Sequence, residues 1–250
     1  ANTDEIMVNI VTSRENKKTL NPIVEFLIKK FPSITSIVNN ISTRKSGVSM
    51  SEHQVVLYGN EYMLEKLGNY QFMISADSFF QTNTRQAERL LDIVLDESEL
   101  TGSEIVYDLF CGIGSISLYL SKIAKMVYGF ELVVSAVQDA MQNAAINNIK
   151  NAWFFTGNLE NLFRNNPEVK DLELPDLIIV DPPRAGLHQK TIEDILDISP
   201  KRIVYVSCNP ATQARDIASL SSEKYDLTKL RPIDMFPHTP HVENVATLIR

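Results

Sequence analysis

Cysteine is scarce in this chain: only Cys111 and Cys208 occur in 250 residues, too few for a disulfide framework or a cysteine-ligated metal cluster. Long apolar runs are also missing. No stretch approaches the roughly 20 residues that a membrane-spanning helix needs, and no signal peptide opens the chain. An excess of basic charge is absent too. The formal net charge is −7, which argues against a broad phosphate-binding surface while leaving room for a local basic groove. No Met stands at position 1, and a strand-like run begins at Ile6, so a fragment of a longer protein is expected, with Ala1 a remnant of its preparation. The apolar share of 44% and charged share of 22% fall in the range of ordinary globular proteins with a buried core. A cytoplasmic monomer with no metal in this chain and no membrane contact is the expectation.

Two patterns of organisation follow one another. The first, over residues 1–77, reads as a small α+β domain: strand-like Ile6 to Val11, a helix over Ile23 to Phe31 opened by Asn21-Pro22, then extended runs at Ile34 to Ile41, Val55 to Tyr58 and Gln71 to Ser75. The second, over residues 78–250, alternates helices and strands from Thr84 onward, with strands at Ala152 to Thr156, Leu177 to Val180 and Arg202 to Ser207 among them. Such alternation implies a mostly parallel, doubly wound sheet with helices on both faces, which binds its ligands beyond the carboxyl ends of the strands.

The chemistry-bearing residues fall at those strand ends. Asp108-Leu-Phe-Cys-Gly-Ile-Gly114 closes a predicted strand and opens a helix, so its glycines permit a tight turn and close approach of a ligand. The third glycine of the dinucleotide fingerprint is absent, since Ser115, Ile116 and Ser117 follow. Glu131 ends the next strand, where a carboxylate can accept ribose hydroxyls. A glycine loop with a ribose carboxylate and no phosphate reader suits S-adenosylmethionine better than NAD. Asn158 follows the third strand as a candidate adenine contact, and Asp181-Pro-Pro-Arg184 stiffens the end of the fourth. In amine methyltransferases a similar motif ends in an aromatic; here Arg184 stands instead, which weighs against that chemistry.

Cys208 sits just past a strand and before a helix that Pro210 opens, where a helix N-terminus is expected to favour the thiolate. Carbon 5 of a pyrimidine becomes nucleophilic only after a thiolate adds to carbon 6, and a base must then remove the carbon-5 proton. Glu243 is the leading base, ahead of Asp234 and His238. Cys111, inside the glycine turn, reads as an ordinary buried thiol.

Ser78-Phe-Phe-Gln-Thr-Asn83, Asp108 to Gly114, Asp181-Pro-Pro-Arg-Ala-Gly186, Val206-Ser-Cys-Asn-Pro-Ala-Thr212 and Asp234-Met-Phe-Pro-His-Thr-Pro-His-Val-Glu243 occur in the order seen in RNA uracil-5 methyltransferases. From about residue 5 to its end the chain resembles the 23S rRNA (uracil-5-)-methyltransferase branch of that family. The resemblance implies a Rossmann-like class I S-adenosylmethionine-dependent methyltransferase domain with a C-terminal antiparallel strand, preceded by the small α+β domain. It implies Cys208 as nucleophile and Glu243 as proton-abstracting base. It also implies cofactor contacts at Gln81, Phe110, Gly112, Ser115, Glu131, Asn158 and Asp181, although family members often carry Asn where Ser115 stands. RNA, 23S rRNA in this branch, is the implied partner, with Phe79, Phe80 and Arg184 as candidates to hold the turned-out base; tRNA is the alternative substrate. The upstream RNA-binding barrel of many members and the four-cysteine iron–sulfur cluster of some have no counterpart in these residues. Readings from other classes are an adenine or amine N-methyltransferase using Asp181-Pro182-Pro183 and a non-catalytic RNA-binding module.

Overall fold

The structure is a computed structural model, and it describes residues 2–43, 53–160 and 167–250. The chain divides into two compact units, one running to Phe80 and the other from Gln81 to Arg250.

In the first unit β1 (Met7–Thr12), α1 (Lys17–Lys30) and β2 (Ser36–Ile41) form a parallel crossover, and β3 (His53–Gly59) adds antiparallel to β2. Val24, Ile34 and Ile37 form its small core, with Val8, Ile10 and Leu57 packed against them. The helix starts earlier than the sequence signals placed it. Asn16 caps it by accepting from the Thr19 amide (3.2 Å), so Pro22 lies inside rather than at the first position. Proline there removes one intrahelical hydrogen bond, and the carbonyl left over belongs to exposed Lys18, which water reaches. β4 (Tyr62–Leu67) and β5 (Tyr70–Ser75) pair as a hairpin. Only β5 was anticipated, although Gly68-Asn69 between two apolar runs is a hairpin turn in its own right. Phe80 packs on Phe72 at a centroid distance of 6.1 Å, whereas Phe79 is 76% exposed.

The second unit is built on a seven-stranded sheet. Its strands are β6 (Ile105–Leu109), β7 (Met126–Glu131), β8 (Ala152–Thr156), β9 (Leu177–Val180), β10 (Arg202–Ser207), β11 (Asp226–Ile233) and β12 (Glu243–Ile249), in the order 11-12-10-9-6-7-8. All neighbours from β10 to β8 pair in parallel, and β12 runs antiparallel between β10 and β11. The fold is Rossmann-like. Helices α2 (Thr84–Ser98), α3 (Ser115–Leu120), α4 (Val134–Ile146), α5 (Pro167–Lys170), α6 (Gln189–Ile198) and α7 (Pro210–Ser221) connect the strands.

The central strands are apolar on both faces because helices cover both. Leu177, Ile178, Ile179 and Val180 are all buried, and each contributes about 1.5–3 kcal/mol relative to exposure. Asn83 caps α2 and Asn209 caps α7, each accepting from a backbone amide in the first turn. From β6 the chain winds one way to β7 and β8, and from β9 the other way to β10. The carboxyl ends of β6 and β9 therefore flank a switch point, the crevice where such sheets hold their ligands. Among the described residues no helix is long and apolar enough to cross a membrane, and no group of three or more His, Cys, Asp or Glu side chains could hold a metal ion.

Candidate active site

At the end of β6 the chain turns sharply. Phe110 adopts φ +66, a left-handed conformation that is strained for an aromatic residue, and its amide and that of Cys111 both donate to the Phe130 carbonyl (2.9 and 3.1 Å). Gly112 follows at φ +54, and a Cβ added there would meet nothing within 4 Å. The two glycines of the motif thus do different work: Gly112 borders open space, whereas a Cβ at Gly114 would press on Leu118 (2.9 Å) and the Phe154 ring (3.1 Å). Ser115 begins α3 directly behind them.

Glu131, at the end of β7, folds back on this turn. Its Oε2 accepts the Gly112 amide (3.1 Å), and its Oε1 accepts the Leu132 and Val133 amides (2.7 and 3.0 Å). With roughly four lone-pair sites on a carboxylate, one acceptor position on Oε2 is left for a ligand hydroxyl. Asn158 is exposed beyond β8 and spends its side-chain oxygen on the Glu160 amide (3.0 Å) in a local turn. Asp108 is fully buried beneath the loop. Burial and the nearby Glu131 charge push its carboxyl up to about 7, even though Ser117 donates to it at 2.5 Å. Cys111 is the inert thiol anticipated for it, buried and with its ionisation pushed well up by that burial.

A second group assembles at the ends of β9, β10 and β12. Asp181 closes β9, and burial, Glu243 and Asp108 push its carboxyl up to about 8. Cys208 follows β10 and is partly accessible. In the β10–β12 ladder Ser207 stands opposite Asn244, so the antiparallel register carried one step on sets Cys208 across from Glu243. Glu243 is 6% exposed, and that burial raises its carboxyl pKa while the Arg184 charge lowers it. Asp234 and His238 are both exposed.

The thiol is not activated as the helix-terminus argument expected. Burial raises its pKa, and the charges of Glu243 and Asp181 raise it further; a hydrogen bond from Arg184 and the Arg184 charge oppose them. The cation doing this work is the residue that marks the departure from the amine-methyltransferase motif.

Several supporting residues escaped the sequence reading. Gln213, buried on α7, donates to the carbonyls of Tyr205 (2.8 Å) and Asn244 (3.2 Å) and accepts from Asn244 Nδ2 (2.5 Å), tying β10 to β12 below the thiol and the carboxylate. The segment around it was read only as a helix, and a lone glutamine at one turn of it carries no periodic signature. Asn83 Nδ2 donates to the Met235 carbonyl (3.0 Å) and so fastens the loop bearing Gln81 to the segment before β12. That segment is ordered by Thr239, whose hydroxyl donates to the Phe236 carbonyl (2.7 Å) and accepts the His241 amide (3.3 Å).

Known proteins share this arrangement of chain. A family model described as tRNA (Uracil-5-)-methyltransferase matches residues 33–250. An uncharacterized RNA methyltransferase of Chlorobaculum tepidum is 43% identical over 248 residues, covering 99% of this chain and 51% of that protein. Another, from Staphylococcus aureus strain COL, is 44% identical over 98% of this chain and 53% of its own length. This chain therefore spans about half the length of the curated relatives it matches. Among solved structures, the Pyrococcus abyssi tRNA (uracil-54, C5)-methyltransferase in complex with S-adenosyl-L-homocysteine aligns with a TM-score of 0.76 at 35% identity, over 98% of this chain and 56% of that one. The tRNA m1G37 methyltransferase of M. jannaschii aligns at 14% identity with a TM-score of 0.63, over 99% of this chain and 73% of that one, a likeness of fold alone.

Proposed function

The chain belongs to the tRNA (uracil-5-)-methyltransferase family, and on that footing we propose that it methylates carbon 5 of a uridine in structured RNA with S-adenosylmethionine as donor. The observation that carries the proposal is the β10–β12 register, which sets a buried carboxylate across from a partly accessible thiol with one guanidinium acting on both.

The residues present suit the donor. Gly112 borders open space beside the acceptor position left on Glu131, and a cationic ligand at the switch point would draw the raised carboxyls of Asp108 and Asp181 back toward ionisation. Phe110, Gly112, Ser115, Glu131, Asn158 and Asp181 would hold it, with Gln81 on the adjoining loop. When bound, S-adenosylmethionine supplies an electrophilic methyl group to carbon 5.

The protein's own part is covalent activation. Cys208, ionised beside Arg184, adds to carbon 6 of the uracil, and electron density moves to carbon 5. After methylation Glu243, whose raised pKa makes it a stronger base than an exposed glutamate, removes the carbon-5 proton. The electron pair released re-forms the ring double bond and expels the thiolate. The uridine must first be turned out of its stack, at a cost on the order of a few kcal/mol. We assign this chemistry to the residue 78–250 domain, in the cytoplasm.

The motifs point to 23S rRNA as the substrate. tRNA is the second reading, favoured by the description of the matching family model and by the Pyrococcus abyssi enzyme. Transcripts of both kinds containing 5-fluorouridine, incubated with the full-length protein and donor, separate them: fluorine cannot leave as a proton, so the true substrate accumulates as a covalent adduct at Cys208. Cys208→Ala abolishes the adduct. Glu243→Gln slows turnover on ordinary RNA by about 10²–10⁴-fold and accumulates the methylated adduct. An adduct that persists in Cys208→Ala, or none with either RNA, overturns the mechanism.

A further inference from the structure

Asp216 is buried on the second turn of α7, is 1% exposed, and plays no part in the chemistry above. Its Oδ2 accepts the Leu187 amide (2.7 Å) and the Tyr205 hydroxyl (2.7 Å). Its Oδ1 accepts Nε and Nη2 of Arg215 (2.8 and 2.7 Å), and the same Nη2 donates to the Ala185 carbonyl (2.9 Å). One residue earlier in the loop, the Arg184 carbonyl accepts from Asn209 Nδ2 (3.0 Å) and Thr212 Oγ1 (3.2 Å). The backbone from Arg184 to Leu187 is thus fastened to the start of α7 from end to end. The approach is close: a Cβ at Gly186, which sits at φ +79, would lie 2.5 Å from Asp216 Oδ2 and 2.6 Å from Arg215 Nη2.

A surface loop whose only task is to connect β9 to α6 has no need of a buried carboxylate and four fastening hydrogen bonds. This loop carries Arg184, and the helix it is fastened to begins two residues after Cys208. We propose that Asp216, assisted by Arg215, is a positioning residue that locks the loop after β9 onto α7 so that the Arg184 guanidinium is held against the Cys208 sulfur. The proposal rests on Cys208 being the nucleophile. It adds that the reactivity of the thiol is set by a residue that touches neither substrate nor thiol.

The charged groups acting on the thiol are Glu243, Asp181 and Arg184, the first two opposing its ionisation and the last favouring it. Displacing the guanidinium therefore leaves the carboxylates uncompensated and moves thiolate formation to higher pH. The test is iodoacetamide alkylation of Cys208 across a pH series, followed on its peptide by mass spectrometry, in full-length wild-type, Asp216→Asn, Gly186→Ala and Arg184→Gln proteins. Each variant is expected to show its alkylation midpoint at higher pH, with about tenfold slower reaction near neutrality. Asp216→Asn adds no further shift in an Arg184→Gln background, because the cation it positions is already gone. Methyl transfer by Asp216→Asn falls by about 10- to 100-fold.

A folded Asp216→Asn protein with the wild-type alkylation profile overturns the proposal, as does a shift that persists undiminished in the Arg184→Gln background. Should Asp216→Asn fail to fold, Gly186→Ala carries the same comparison, since it forces the loop off the helix without removing a charge. Alkylation needs neither RNA nor methyl donor. A shifted profile in a protein that forms no 5-fluorouridine adduct therefore refutes the role of Cys208 and leaves the loop lock standing.

Discussion

Asp108 lies just before the end of β6 at Leu109, with one carboxyl oxygen accepting from Ser117 and the other, among the described residues, facing no donor. Its raised pKa has a consequence for stability. The folded chain keeps this proton up to about pH 7, whereas the unfolded carboxyl releases it near its ordinary value of 3.8. Between those values the native state binds more protons, so the contribution of Asp108 to stability is lost as pH rises through the window and is constant above it. Asp108→Asn removes the titration and keeps an acceptor for Ser117. Thermal melts should show the variant more stable than wild type at pH 8, by roughly 5 °C, with the difference shrinking toward pH 4. Equal melting temperatures at pH 8 would show that the buried charge costs the fold nothing. Residue identity also made Cys208 and Glu243 stand out, since their neighbours form recognisable motifs. The ionisation of that thiol was misjudged: a helix N-terminus is visible in sequence, but Asp181 and Arg184 reach the sulfur from the loop after β9 and Glu243 reaches it from the start of β12.

Helices and strands of the second unit were legible because buried parallel strands are short apolar runs, and α2 and α7 open on the caps Asn83 and Asn209. β8, β9 and β10 begin and end where the pattern placed them. In the first unit the start of α1 was misplaced. The Asn21-Pro22 pair imitates a cap, and the effective cap is Asn16. Pro22 therefore interrupts the helix it was thought to open, and Pro22→Ala should stabilise the chain by about 1 kcal/mol or more in denaturant titration. A loss of stability instead would mean that the restricted unfolded chain at Pro22 outweighs the missing hydrogen bond. The missed β4 has a different cause: its sequence, Tyr-Met-Leu-Glu-Lys-Leu, lacks β-branched residues, and pairing with β5 rather than propensity makes it a strand.

Across the whole molecule the active groups are collected from distant parts of the chain by one sheet edge. Asp181, Cys208 and Glu243 follow β9, follow β10 and open β12 in turn, and meet because β12 runs antiparallel to its neighbours. The pH dependence of methylation should carry that imprint. Both the base and the nucleophile act deprotonated, and burial raises both pKa values. Methyl transfer should accordingly rise with pH, with its acid limb displaced above that of an ordinary glutamate. An acid limb lying where an exposed glutamate titrates would contradict the raised pKa values.

The order of the motifs, the alternation of helix and strand and the identity of the thiol, the carboxylate and the glycine loop were all determined by the sequence, because each depends on neighbours within a few positions. The fastening of the Arg184 loop by Asp216, the tie between β10 and β12 through Gln213, and the balance of charge on Cys208 were decided only by the tertiary structure. Burial and Coulomb interaction depend on distance in space, and the separation along the chain of the groups that set them carries no trace of it.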